Sequence, residues 1–153
     1  MGLFLSSFTK KIDKKGRVSV PSTFRAVLSS EHYQGVVVRH SFINPCIEAC
    51  GMTRMEQLKD QINSLDPYSE EHEAFSTAIL GGSDQLPFDG EGRIILPEEL
   101  LKDAGITEEA VFVGKGDMFE IWEPKAYAKY AEHARKVALE NRAKLRARNG
   151  VPS

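Results

Sequence analysis

The sequence is poor in the residues that carry covalent, redox or metal chemistry. Its 153 residues include two cysteines, four histidines and one tryptophan. Two cysteines exclude a multi-disulfide scaffold. Cys46 and Cys50 lie near His40 and invite a zinc reading. On a strand, however, four residues separate Cα atoms by about 13 Å, too far to share a metal ion or form a disulfide. They are read as two reduced, partly buried thiols. His32, His40, His72 and His133 show no ligand spacing. No apolar run approaches the roughly 18 residues that span a bilayer, and no signal-peptide pattern is visible. Met1 to Ser6 matches a myristoylation pattern only formally, since Phe4 and Leu5 equally start a strand. Gly114-Lys115-Gly116 lacks the length and terminal hydroxyl residue of a phosphate-binding loop. A nucleophile elbow and a metalloprotease helix are missing as well. The expectation is a cytoplasmic non-enzyme with no catalytic residue, metal, cofactor, small-molecule substrate or membrane partner.

An overall excess of positive charge is also lacking: the formal net charge is −2. Its distribution is uneven. Residues 9–25 carry a local net of +5 and residues 125–153 a net of +6, so the stretch between them holds −13. Segregation of this kind makes a local anion-attracting surface and repels nonspecific polyanion contact elsewhere.

What is present is a phrase used twice. Asp13-Lys14-Lys15-Gly16-Arg17-Val18-Ser19-Val20-Pro21 returns 76 residues later as Asp89-Gly90-Glu91-Gly92-Arg93-Ile94-Ile95-Leu96-Pro97. Repetition of this kind marks one supersecondary unit used twice. The Asp side chain accepts from backbone N–H groups two residues on, and Gly supplies φ > 0. Apolar and polar residues then alternate, as on a half-buried strand, and Pro fits the first position of a helix. Each unit therefore reads as strand, tight turn, strand and short helix, with Asp13, Gly16, Asp89 and Gly92 structuring the turns. Turn chemistry alone does not require the Arg. The first basic cluster coincides with the first turn, whereas Gly90 and Glu91 replace Lys14 and Lys15 in the second.

The doubled D-x-x-G-R-[VI]-x-[VL]-P resembles the motif of the MraZ family, whose halves are each similar to the AbrB/SpoVT swapped-hairpin DNA-binding domain. Asn44-Pro45-Cys46-Ile47, Leu80-Gly81-Gly82, Val111-Phe112-Val113-Gly114 and Phe119-Glu120-Ile121-Trp122 agree, so the resemblance covers roughly residues 4–127. It implies a bacterial, nucleoid-associated transcriptional regulator that assembles into homo-oligomeric rings. Such a ring would bind tandem direct repeats of double-stranded DNA near the promoter of a division and cell-wall gene cluster.

The expected fold is α+β. Two AbrB-like swapped-hairpin units share one pseudo-symmetric, barrel-like core, because each half alone is marginal in size. Units at 7–54 and 83–126 flank a helical connector at 55–82, and a basic helix or tail occupies 127–153. Thr53 and Glu56 suggest a capping box. Asp66-Pro67 suggests the start of a second connector helix, and the last helix is expected from Pro124 to about Asn149. Arg17, Lys14 and Lys15 are the expected DNA contacts, with Lys10 and Lys11 supporting at the backbone. Arg93 is a contact or an interface residue. The rival reading is an antitoxin-like or scaffold module that binds a protein through the acidic middle.

Overall fold

The computed structural model describes residues 2–146. Of these, residues 2–123 form one compact unit and residues 124–146 a second. In the first unit the strands are β1 (Ser7–Lys11), β2 (Arg17–Ser19), β3 (Gly35–His40), β4 (Ile47–Cys50), β5 (Asp84–Pro87), β6 (Arg93–Ile95), β7 (Glu109–Gly114) and β8 (Phe119–Trp122). Its helices are α1 (Ser22–Leu28), α2 (Met52–Asn63), α3 (Glu70–Phe75), which continues as a π turn over Ser76–Leu80, and α4 (Glu98–Asp103).

Six strands form an open antiparallel sheet in the order β1-β7-β8-β4-β3-β5. The expected barrel-like core is thus corrected, because β1 and β5 end the sheet without meeting. Strands on either side of each turn do not pair with each other: β1 pairs with β7, β5 with β3, and β2 with β6 in a separate two-stranded ribbon. Three-residue strands gain little from a local ladder. They gain more by crossing to the other repeat, where both inward residues are sealed from water.

That sealing is nearly complete. Val18 and Val20 from the first phrase and Ile94 and Leu96 from the second are at most 2% exposed. They share one core with Phe24 and Leu28 of α1, Leu100 of α4, and Val36, Ile47, Phe112, Phe119 and Ile121 of the sheet. Alternation places Val37 and Cys50 on the opposite sheet face, where Met55 of α2 covers them. Pro21 and Pro97 stand one position earlier than expected, as the residues preceding α1 and α4, with φ near −55°. The ring presets the helical approach at a site where an N–H would have no partner.

Two helix starts differ from expectation. Gly51 precedes α2, and the cap comes from Glu31, whose Oε1 accepts from the Thr53 backbone N (2.9 Å) and hydroxyl (2.8 Å). A carboxylate brought 22 residues along the chain thereby displaces the local Thr-Glu box. Asp66 caps only a turn, accepting from Tyr68 N, and α3 opens three residues later under Ser69. In the second unit α5 runs from Pro124 to Glu140, and a short 3-10 turn follows over Arg142–Leu145. The helix thus ends short of Asn149, because Asn141 has left helical geometry and its side chain bonds back to Val137 O. Arg148, Asn149 and the stop signals Gly150 and Pro152 lie outside the described residues.

Both cysteines are free and buried. Burial, with Glu120 adding to it, pushes the Cys46 thiol up to about 12, and burial pushes Cys50 up as well. Both stay protonated at neutral pH. A disulfide reagent at pH 8 is therefore expected to titrate no thiol in the folded protein and two after denaturation; native reactivity would contradict the packing. Because the Cys46 value is raised, its contribution to stability is complete below about pH 9 and is lost as pH climbs toward 12.

Candidate nucleic-acid interface

The two turns are built alike, bond for bond. Asp13 Oδ1 accepts from the backbone N of Lys15 and of Arg17, both at 2.9 Å, and Oδ2 accepts from Arg17 Nε at 2.6 Å. Asp89 repeats this with Glu91 N (2.8 Å), Arg93 N (3.0 Å) and Arg93 Nε (2.8 Å). Gly16 and Gly92 take φ of +84° and +75°, closing the turn where a side chain would be strained. Gly16 O accepts from Leu96 N and Gly92 O from Val20 N, so each turn is tied to the other repeat.

Hydrogen bonds, chiefly from the Arg17 and Arg93 backbones, hold the Asp13 and Asp89 carboxyls below the usual carboxylate range. A folded-state value depressed below 3.8 contributes stability that is present above that value and lost as pH falls through the lower one. Replacing both with Asn keeps the Oδ1 acceptor but removes the titration. Thermal melts from pH 5 down to pH 2.5 should then fall less steeply than for the unaltered protein; parallel curves would show that the turns do not respond to these carboxylates.

Ribbon register decides what faces outward. Arg17 stands opposite Ile95, Val18 opposite Ile94, and Ser19 opposite Arg93. Val18 and Ile94 point into the core, so Arg17, Ser19, Arg93 and Ile95 form the outer face. Lys14 and Lys15 are exposed in the turn beside Arg17. Both arginines are half-buried and anchored through Nε, which directs the terminal nitrogens of each guanidinium away from the Asp. They are not equivalent, because Glu91 Oε1 also lies 3.4 Å from Arg93 Nη2. Lys10 and Lys11 are consecutive on β1, so their side chains leave on opposite faces. Only one of the two can accompany the turn, and Lys11 stands opposite Glu109.

One residue of this surface was not singled out by its sequence. Arg25 on α1 donates from Nε to Val20 O at 3.1 Å, and its guanidinium lies against Gly92: a Cβ there would sit 2.7 Å from Nη1. Its counterpart 76 residues on is Leu101, which lies near Gly16 at ordinary contact distance, 3.7 Å from where a Cβ would stand. The first repeat thus lends the second turn a cation. Among the described residues no carboxylate pairs with Arg25, so its charge is offset less than that of Arg17 or Arg93. The signal was available: aligning the repeats places Arg opposite Leu just where the second turn loses its lysines.

His40, Glu99 and Asp103 form an exposed cluster, with His40 Nε2 3.4 Å from Asp103 Oδ2. No helix among the described residues is long and apolar enough to cross a membrane.

The family model described as "MraZ protein, putative antitoxin-like" matches residues 79–148. The transcriptional regulator MraZ of Rickettsia felis is 53% identical over 149 residues, covering 97% of this chain and 100% of that protein. Its counterpart in Rickettsia rickettsii is 54% identical over 146 residues, covering 95% and 98%. With likeness of this extent over nearly its whole length, the chain belongs to the MraZ family of transcriptional regulators, a family of regulators rather than enzymes.

Proposed function

We propose that this protein regulates transcription in the cytoplasm by binding double-stranded DNA through the outer face of the β2–β6 ribbon. Arg17, Lys14 and Lys15 make the main contacts. The observation that carries this reading is the pair of register-locked arginines, held outward by aspartates on a ribbon of the width a major groove admits. Lysines pair with phosphates, whereas a guanidinium with free terminal N–H groups addresses a guanine edge. Arg25 adds a phosphate contact beside the second turn. The exchange of strands between turns supports AbrB-like swapped hairpins at 7–54 and 83–126, brought together within one chain.

A single ribbon offers few cations, so binding by one copy is weak. Ring assembly on tandem repeats, as the family resemblance implies, supplies avidity by presenting identical ribbons at a fixed pitch. Exposed Phe42 and Ile43, neighbours in one loop, are available for contacts between copies. The target would be tandem direct repeats near a division and cell-wall gene promoter.

Fluorescence anisotropy with tandem-repeat duplex from such a promoter, against a scrambled duplex across a salt series, tests the reading. The expected result is preference for the repeats, with log affinity falling by about 0.9 per phosphate contact per decade of salt. Equal, weak binding to both duplexes would overturn it. The rival, protein capture through the acidic middle, is favoured by the antitoxin-like description of the matched family model. It predicts no salt-dependent DNA binding at all.

A further inference from the structure

The outer face of the ribbon breaks its own symmetry. The 76-residue offset maps Arg17 onto Arg93, Lys14 onto Gly90, and Ser19 onto Ile95. A polar residue in the first repeat is therefore an isoleucine in the second, and Ile95 is 58% exposed. Isolated exposed apolar residues are ordinary on protein surfaces. This one is singled out by place: it stands directly opposite Arg17, on the cationic face.

Resting on the DNA reading above, we infer that Ile95 is a specificity-determining residue, taking the C5-methyl group of a thymine next to the base pair that Arg17 addresses. The thymine methyl is the apolar group that base edges offer in the major groove. Side chains directly opposite on an antiparallel pair have Cβ atoms about 5 Å apart. One base-pair step is about 3.4 Å, so Arg17 and Ile95 meet neighbouring pairs. A β-branched side chain on a strand has restricted χ1, which presents the methyl surface in a fixed direction. Ser19, opposite Arg93, offers only a hydroxyl that suits several base edges. The face thus reads Arg beside Ile on one side and Arg beside Ser on the other. A ribbon with true two-fold symmetry would favour a palindrome; this one gives its site a direction, as direct repeats require.

The probe is a duplex selected by the full-length protein from a random 20-base-pair pool. Each thymine is then replaced singly by deoxyuridine, which removes only the methyl group. Binding to each is measured by anisotropy across one shared salt series, alongside light-scattering mass. One replacement per repeat should weaken binding by the unaltered protein about fourfold, the value of one buried methyl group. Ile95→Ser, which installs the residue found at the matching place in the first repeat, should abolish that sensitivity while retaining mass and salt slope. A flat deoxyuridine series, a selected site without thymine, or a penalty that persists in Ile95→Ser would overturn the inference. So would loss of mass in Ile95→Ser, which would place the residue between copies. If the flat series accompanies tight binding that Arg17→Ala removes, the DNA reading stands and only the role of Ile95 falls. If no duplex is bound, both fall.

Discussion

Arg17→Ala is expected to abolish repeat-specific DNA binding while leaving assembly mass unchanged. One bidentate guanidinium–guanine contact is worth about 1–3 kcal/mol, or roughly 5- to 150-fold in affinity. In the ring proposed above, several ribbons would engage at once, and the loss would compound across copies. Folding should survive, because the Arg17–Asp13 pair is open to solvent on one side, and solvent-screened pairs contribute little net stability. Arg93→Ala should weaken binding much less. Glu91 joins Asp89 in engaging that guanidinium, and no lysine flanks it in its turn. Gel shift and light scattering on the two variants decide the matter. Equal loss of DNA binding, with normal mass in both, would contradict the asymmetry between the turns.

A second large effect is expected in the core. Phe24 of α1 is 1% exposed and meets the rings of Phe4, Phe8 and Phe119 at centroid distances of 5.3, 5.6 and 4.9 Å. Those partners come from the N-terminal segment, β1 and β8, so this ring joins the first repeat to sheet strands contributed by both repeats. Phe24→Ala removes the contacts and leaves a cavity, which costs about 3–5 kcal/mol in comparable cores. Chemical denaturation should show a lowered midpoint with an unchanged slope; a shift under about 1 kcal/mol would mean that the cluster is not the shared core. Because α1 also carries Arg25, which packs against Gly92, the same variant should loosen the second turn before the first.

Local chemistry was legible in the sequence where its partners are near in sequence. Asp13 and Gly16 announce the turn, alternation announces Val18 and Val20 as inward, and Pro21 announces α1. The Arg17–Asp13 ion pair was equally within reach, since its four-residue spacing is fixed by the turn. Pairings set by distant residues were not legible. Nothing in Arg17–Ser19 says that its neighbour is Arg93–Ile95 rather than β1, because periodicity reports which face is buried and not what buries it. The same limit hid the Glu31 cap on α2, supplied from 22 residues away, and the open sheet, whose closure depends on strand order rather than on any single strand. Arg25 was missed for a related reason: on its own helix it is an exposed cation, and only the fold carries it to the other repeat's turn.

The most direct test of the account is hydrogen–deuterium exchange with and without tandem-repeat duplex. Residues 13–20 and 89–96, which form both turns and the ribbon, should gain protection on DNA binding, most strongly in the first stretch, and Arg17→Ala should erase the gain. Protection confined to α2, α3 or α5, with both turns unchanged, would contradict the claim that the ribbon is the surface that meets DNA.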